Sequence, residues 1–219
     1  MSIRCFLLCM VSIASSLPAA SQDIVFQDSF ERKQLGDDWL VILPSFTIRD
    51  GRLLGHEEPE RGHGAVCRAP VEFQNGKFEF SFRLTDGQSF NFVVNDKNCK
   101  EVHAGHICRV SISAKLVRIS DDREGAMRND LFAALRDPKQ NLDRRKVLKD
   151  REILIPNTLA ADQWHHVSIS IVDDQMSVTI DGKQIGQLKS PGIAHATKTD
   201  FGFTVVGNEI EFDDVRMSR

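Results

Sequence analysis

The sequence has no tyrosine and only two tryptophans, Trp39 and Trp164, in 219 residues. Rings that combine an apolar face with a hydrogen-bonding edge are therefore scarce, which leaves little for stacking a flat ligand. An excess of either charge is missing too: 28 Lys and Arg stand against 31 Asp and Glu, for a net charge of -3. Nucleic-acid-binding domains present a strongly basic face, so that class of partner is not expected. The one basic cluster, Arg144-Arg145-Lys146 with Lys149 and Arg151, is interleaved with Asp143 and Asp150 and reads as a solvated face. No apolar run reaches the roughly 20 residues that a helix needs to cross a bilayer, so no membrane span is expected.

The N-terminus has the layout of a secretory signal peptide. Met1 to Arg4 carries one positive charge, Cys5 to Leu17 is largely apolar, and Ala19-x-Ser21 offers a small-residue cleavage site. Residues 1–21 are expected to be removed, which makes the mature chain, residues 22–219, secreted or periplasmic. A stretch of that length is one domain with enough chain to bury a core. Cysteine is sparse as well. Cys5 and Cys9 leave with the signal, so Cys67, Cys99 and Cys108 remain, an odd number in an oxidising compartment.

Period-2 alternation dominates what is there. GKFEFSFRL puts Phe78, Phe80, Phe82 and Leu84 on one face and Glu79, Ser81 and Arg83 on the other, the mark of a half-buried strand. Val167, Ile169 and Ile171 alternate up to an Asp173-Asp174 turn, and Met176, Val178 and Ile180 run to Asp181-Gly182, a strong hairpin signal. Phe201, Phe203 and Val205, a Gly207-Asn208 turn, then Ile210 and Phe212 close the chain. Short strands separated by turn residues over nearly the whole length predict an all-β, antiparallel two-sheet sandwich. One charged segment, about residues 121–150, breaks the pattern. Leu131, Phe132 and Leu135 recur there at helical spacing, with Asn129 placed to cap a short inserted helix and Pro138 to end it. Such an insertion either covers a sheet edge or forms a lid over a groove.

FVVNDKNCKEVHAGHICRVSIS, residues 92–113, holds a dense polar cluster. Phe90, Phe92 and Val94 read as core-facing, with Asn91, Val93 and Asn95 outward; residues 96–105 form a loop, and Cys108, Val110 and Ile112 resume the inward face. Three states are open for its cysteines. Cys99 and Cys108 could form a disulfide, which would stabilise the fold by roughly 2–3 kcal/mol through loop closure, or stay as thiols. The third state is a metal set of Cys99, His103, His106 and Cys108, although those spacings match no zinc finger.

FQDSFER with GDDW, FTIRDGRLLG, NGKFEFSFRL, QWHHVSISIVDDQMSVTIDGKQIG and IEFDDVRM, in that order, resemble the successive strands of concanavalin A-like jelly rolls. More narrowly they resemble the secreted 3-keto-disaccharide hydrolase-like domains. That resemblance implies a curved jelly-roll sandwich whose concave face binds poly- or oligosaccharide and in some members cleaves it. Laminarinase-type relatives carry a Glu-x-Asp-x-x-Glu strand that is absent here. The nearest string, Glu209-Ile210-Glu211-Phe212-Asp213, lies in the closing strand and reads as structural or solvent-facing. The Tyr-Glu-x-Gln-like strand of the 3-keto type is replaced by HICRVSIS, which has no carboxylate.

The expected function is therefore a carbohydrate-binding module. The alternatives are a glycoside or 3-keto-disaccharide hydrolase using Glu79, Asp96 or Asp122 as acid or base, and a non-catalytic structural or protein-binding domain. The expected saccharide contacts are Arg83, Asn91, Asn95 and Arg109, with His103 and His106 at the edge, because guanidinium and amide groups suit sugar hydroxyls. Trp39 and Trp164 precede strands and are expected in the core. No cofactor is expected, except that the resemblance implies a structural calcium held by Asp28 and Asp213, whose alternative role is to cap strand ends.

Overall fold

The structure, a computed structural model, describes residues 23–85 and 87–219; the expected signal peptide lies outside the described residues. Its strands are, in chain order, β1 (Ile24–Asp28), β2 (Leu40–Leu43), β3 (Phe46–Arg49), β4 (Arg52–Gly55), β5 (Ala65–Ala69), β6 (Gly76–Arg83), β7 (Ser89–Asn95) and β8 (His106–Ser113), followed by β9 (Leu116–Asp121), β10 (Glu152–Pro156), β11 (Trp164–Val172), β12 (Gln175–Ile180), β13 (Lys183–Lys189), β14 (Asp200–Val206) and β15 (Ile210–Ser218). They form two antiparallel sheets. One runs β13-β12-β11-β6-β15-β4-β3 with β1 also on β15, and the other runs β10-β9-β8-β7-β14-β5-β2.

The alternation read from the sequence is what packs these sheets together. Phe78, Phe80 and Phe82 on β6 and Phe212 on β15 enter the core from the eight-stranded sheet, and Phe90, Phe92, Phe201 and Phe203 meet them from the seven-stranded sheet. Phe203 stacks on Phe212 at 4.1 Å between centroids and meets Phe80 edge-on at 5.0 Å, the offset and T-shaped geometries that aromatic quadrupoles favour. Asp181 and Gly182 both take positive φ, 51° and 74°, so their turn supplies the twist that a two-residue hairpin needs.

The charged insertion leaves β9 and returns as β10. It contains α1 (Asn129–Arg136), a 3-10 turn at Pro138–Gln140 and α2 (Arg144–Val147), so two short helices replace the single one expected. Asn129 does not cap α1; Arg128 occupies that position without a side-chain bond. The Asn129 amide instead donates to the Lys100 carbonyl (2.8 Å), and the His103 N–H donates to the Met127 carbonyl (2.7 Å). Pairing with the loop before β8, rather than a side-chain cap, sets where α1 begins. Among the described residues no helix is long and apolar enough to cross a membrane.

Trp39 is in the core, 4% exposed, and its indole N–H donates to Asp28 at 2.8 Å. The expected calcium role of Asp28 is not what the structure shows. Burial works against its charge, but the Arg32 guanidinium, the Phe30 N–H and the Trp39 N–H outweigh that and hold the carboxyl below its ordinary value. Arg32 grips both carboxylate oxygens at 2.5 and 2.6 Å, so a guanidinium fills the cation's place. Asp213 sits at a bulge of β15. No cluster of three or more His, Cys, Asp or Glu among the described residues could hold a metal. Trp164 also departs from expectation: it is 37% exposed on the outer side of the eight-stranded sheet, where Arg52 and Arg83 lie over its ring at 5.3 and 5.5 Å.

Because Phe203 touches both sheets, Phe203→Ala should lower the unfolding free energy by about 3–5 kcal/mol. The exposed Val172→Ala should change it by less than about 0.5 kcal/mol. Urea denaturation of the two variants checks the contrast.

Candidate functional site

Inward phenylalanines commit their sequence neighbours to the outer face of each sheet. On the seven-stranded sheet this turns Val66 and Arg68 of β5, Asp200 of β14 and Asn95 of β7 outward. A register shift between Val94 and Asn95 pairs Cys108 with Val94 and His106 with Asn95. That bulge sends His106 to the outer face while Cys108 stays in the core. Asp200 pairs with Asn95, and Asn95 with His106, so three polar side chains form a row across three adjacent strands. His63, Lys97, His103, Phe132 and Arg136 wall this row, with Ile42 and Leu43 of β2 as an apolar border. The enclosed cleft measures about 540 Å³, within the range of small-molecule sites. Phe132 and Arg136 of the helical insertion thus form part of a groove wall.

The floor is tightly bonded except at two atoms. The Asn95 amide donates to Asp200 at 2.5 Å, the Thr199 hydroxyl donates to the other carboxylate oxygen at 3.1 Å, and Arg68 Nε lies 3.6 Å from Asp200. Asn95 Oδ1 and His106 Nδ1 are buried and have no hydrogen-bond partner among the described residues. Burial, aided by the Arg109 and Arg68 charges, depresses the His106 imidazole to about 3. Burial also lowers Arg68, to about 10, which leaves it cationic at neutral pH. On the wall, His103 stacks on Phe132 at 3.8 Å with 15° between the planes, and the Arg136 guanidinium lies 3.6 Å from the centre of the same ring. Burial, then the Arg136 charge, holds His103 below its ordinary value. His103 and His106 are thus held toward their neutral forms, and Asp200, Arg68, Lys97 and Arg136 supply the acidic and basic side chains of the cleft.

Of the six expected contacts, Asn95, His103 and His106 come together here. Arg83 does not, because β6 belongs to the other sheet. Its outer face points the opposite way, and Arg83 is bonded to Glu211 at 2.6 Å. Asn91 shares the outer face with Asn95, yet it lies outside the cleft and accepts from the Ser111 hydroxyl at 2.5 Å. Arg109 is tied at 2.9 Å to Asp122, whose carboxyl burial pushes up to about 6 despite that cation.

None of the expected catalytic carboxylates lines the cleft. Glu79 lies on the other sheet, 2.7 Å from Lys77; Asp96 bonds His195 at 2.8 Å; and Asp122 is fully buried at the base of the insertion. Asp200 and Arg68, which do line it, were both legible as outward neighbours of Phe201 and of Cys67 and Ala69. A larger groove of about 730 Å³ lies on the eight-stranded sheet beside Asp28, Glu79 and Arg216. Both of those carboxylates are already ion-paired.

A model of the 3-keto-alpha-glucoside-1,2-lyase-like domain matches residues 25–218. The chain belongs to that family. No curated protein matches it in sequence. Among solved structures, a non-specific endo-beta-1,3(4)-glucanase of family GH16 aligns with a TM-score of 0.62 at 10% identity, over 92% of each chain. A laminarinase from Flavobacterium sp. UMI-01 aligns at 0.60 with 12% identity, over 90% of this chain and 100% of that one. The carbohydrate-binding module CBM66 from Bacillus subtilis aligns at 0.56 with 10% identity, over 83% and 96%. The fold is thus the jelly roll of glycoside hydrolases and carbohydrate-binding modules.

The expected Cys99–Cys108 bridge is not made; Cys67, Cys99 and Cys108 are free and buried. Cys108 projects into the core, while the Cys99 thiol donates to Glu101 at 3.2 Å. The four-residue metal set fails for a related reason, since the bulge separates His106 from Cys108. Thiol titration of denatured, non-reduced protein beginning at residue 22 should find three thiols; a count of one restores the bridge.

His106 also sets a pH dependence. Its folded pKa lies near 3 against an ordinary 6.5, so between those values the unfolded chain binds the extra proton and stability falls as pH drops. Asp122, raised from 3.8 to about 6, acts in the opposite direction between its two values. A comparison of His106→Gln with the parent isolates the histidine: the variant's urea midpoint should gain on the parent's as pH falls from 6.5 toward 3. Parallel profiles would show that His106 is not held neutral.

Proposed function

We propose that the outer-face cleft is a saccharide site and that this chain works as a secreted or periplasmic carbohydrate-active jelly roll. One observation carries the reading: Asn95 Oδ1 and His106 Nδ1 are buried beside Asp200 on the cleft floor with no hydrogen-bond partner among the described residues. Buried polar atoms are satisfied in roughly 90% or more of cases, and a ring of hydroxyls can both donate to and accept from such a row. The membership in the family and the glucanase and binding-module folds support the same class of ligand.

A second reading, cleavage, is favoured by the count of carboxylates. Hydrolysis by paired carboxylates needs two of them about 5–9.5 Å apart across the glycosidic bond, and the cleft is lined by one. Elimination from a glucoside oxidised at C3 needs only a base for the C2 proton, which the neighbouring ketone acidifies, and a donor for the enolate oxygen. The proton goes to the base, the C1–oxygen bond breaks, and the departing oxygen takes that proton back from the base, leaving an unsaturated keto sugar. Asp200 is placed to accept the proton, and Arg68 to face the enolate charge.

Calorimetry against glucan oligosaccharides and 3-keto-glucosides tests the site. Asn95→Ala and His106→Ala should each weaken binding by about 1–3 kcal/mol, while Arg83→Ala on the opposite sheet leaves it unchanged. Equal losses in all three variants would remove the cleft from consideration. For cleavage, an ultraviolet-absorbing unsaturated keto sugar should form with the parent and vanish with Asp200→Asn; free reducing sugar in its place would indicate hydrolysis.

A further inference from the structure

We propose that the cleft selects an anionic saccharide, one bearing a carboxylate or sulfate, through Arg136 and Lys97. This inference rests on the saccharide reading of the same cleft and names its ligand class. The whole chain carries a net charge of -3, yet the cleft concentrates the opposite sign: Arg68, Lys97 and Arg136 stand against the single carboxylate of Asp200.

Arg68 and Asp200 answer each other at 3.6 Å, which leaves the other two cations over. Among the described residues neither has a carboxylate partner. Arg136 lies over the Phe132 ring, 3.6 Å from its centre, with His103 stacked on the same ring. That contact matters for function, because a guanidinium laid flat on a ring keeps its edge donors free and fixed in direction. Elsewhere on this surface arginines are commonly paired, as Arg32 is with Asp28, Arg83 with Glu211, Arg128 with Asp130 and Arg144 with Glu152.

A cation without an acid, at the mouth of a cleft whose floor holds unpartnered polar atoms, is the arrangement that an oxyanion-bearing ligand completes. Arginine accepts a carboxylate or sulfate through two parallel N–H bonds, and lysine adds a point charge. Because both groups sit on the wall and not on the floor, the charge they read belongs to a ring substituent or to the neighbouring residue of the glycan. It does not belong to the ring seated on Asn95 and His106.

Binding of the parent chain to oligogalacturonides, sulfated galactan oligosaccharides and neutral gluco-oligosaccharides of equal length is the test. One acidic class or both should bind at least ten-fold more tightly than the neutral one, with the advantage shrinking as salt is raised; which class gains separates carboxylate from sulfate. Arg136→Gln and Lys97→Gln should each weaken acidic binding far more than neutral binding, removing most of that advantage. Arg145→Gln, a cation on α2 outside the cleft, should preserve it. If acidic and neutral oligosaccharides bind alike, or Arg145→Gln matters as much as Arg136→Gln, the charge selection is wrong while the saccharide cleft stands. If neither class binds, both readings fall.

Discussion

Two sheets that bury phenylalanines against one another must turn their remaining side chains away from one another, and this constraint organises the molecule. Phe80 and Phe212 from one sheet close on Phe203 from the other, a dry contact that a one-residue slip in any of these strands would destroy. With that contact in place, every outward residue is assigned to one of two faces on opposite sides of the sandwich. The cleft belongs to one face; the Arg83, Trp164 and Glu211 cluster belongs to the other. Chemistry on one face is therefore insulated from the other by the thickness of the core.

This is also why the fold was easier to read than the site. The strands, the Asp181-Gly182 hairpin and the sandwich followed from alternation alone. Alternation states which residues share a face within a strand, but not which sheet the strand joins. Arg83 and Asn95 look equivalent in sequence, yet β6 and β7, though consecutive, lie in different sheets. Trp164 could have been placed correctly, since it sits three residues before Val167 and thus out of phase with the inward set. His106 could not, because a bulge at the start of β8 shifts its parity and no composition marks it. Asn129 shows the same limit for helices, where a tertiary bond outweighs capping preference.

Electrostatics divides the same way. On the eight-stranded face Lys77 pairs with Glu79 and Arg83 with Glu211, and Asp28 is gripped so closely by Arg32 and Trp39 that it pins the first strand. In the cleft, by contrast, burial of Arg68 and His106 lowers both pKa values. The floor is thus a place where added positive charge is disfavoured and neutral or negative groups are tolerated. The hydrogen bonds from Asn95 and Thr199 keep Asp200 fixed in direction, so the one carboxylate is preorganised before any ligand arrives.

The insertion that carries Phe132 and Arg136 departs from β9 and re-enters as β10, and these two strands are hydrogen-bonded neighbours. Its ends are therefore held together by the ladder whatever lies between them. The entropy of closing such an excursion grows only with the logarithm of its length. In its exposed stretch, residues 138–143, residues can thus be added at a closure cost of about 0.6 kcal/mol for each doubling of its length, without disturbing any phenylalanine of the core. The wall of the cleft is in effect an interchangeable part: the floor is inherited with the sandwich, while the face opposite it is free to drift. Two chains with the same fifteen strands could share the floor of Asn95, His106 and Asp200 and still differ completely in the wall that faces it.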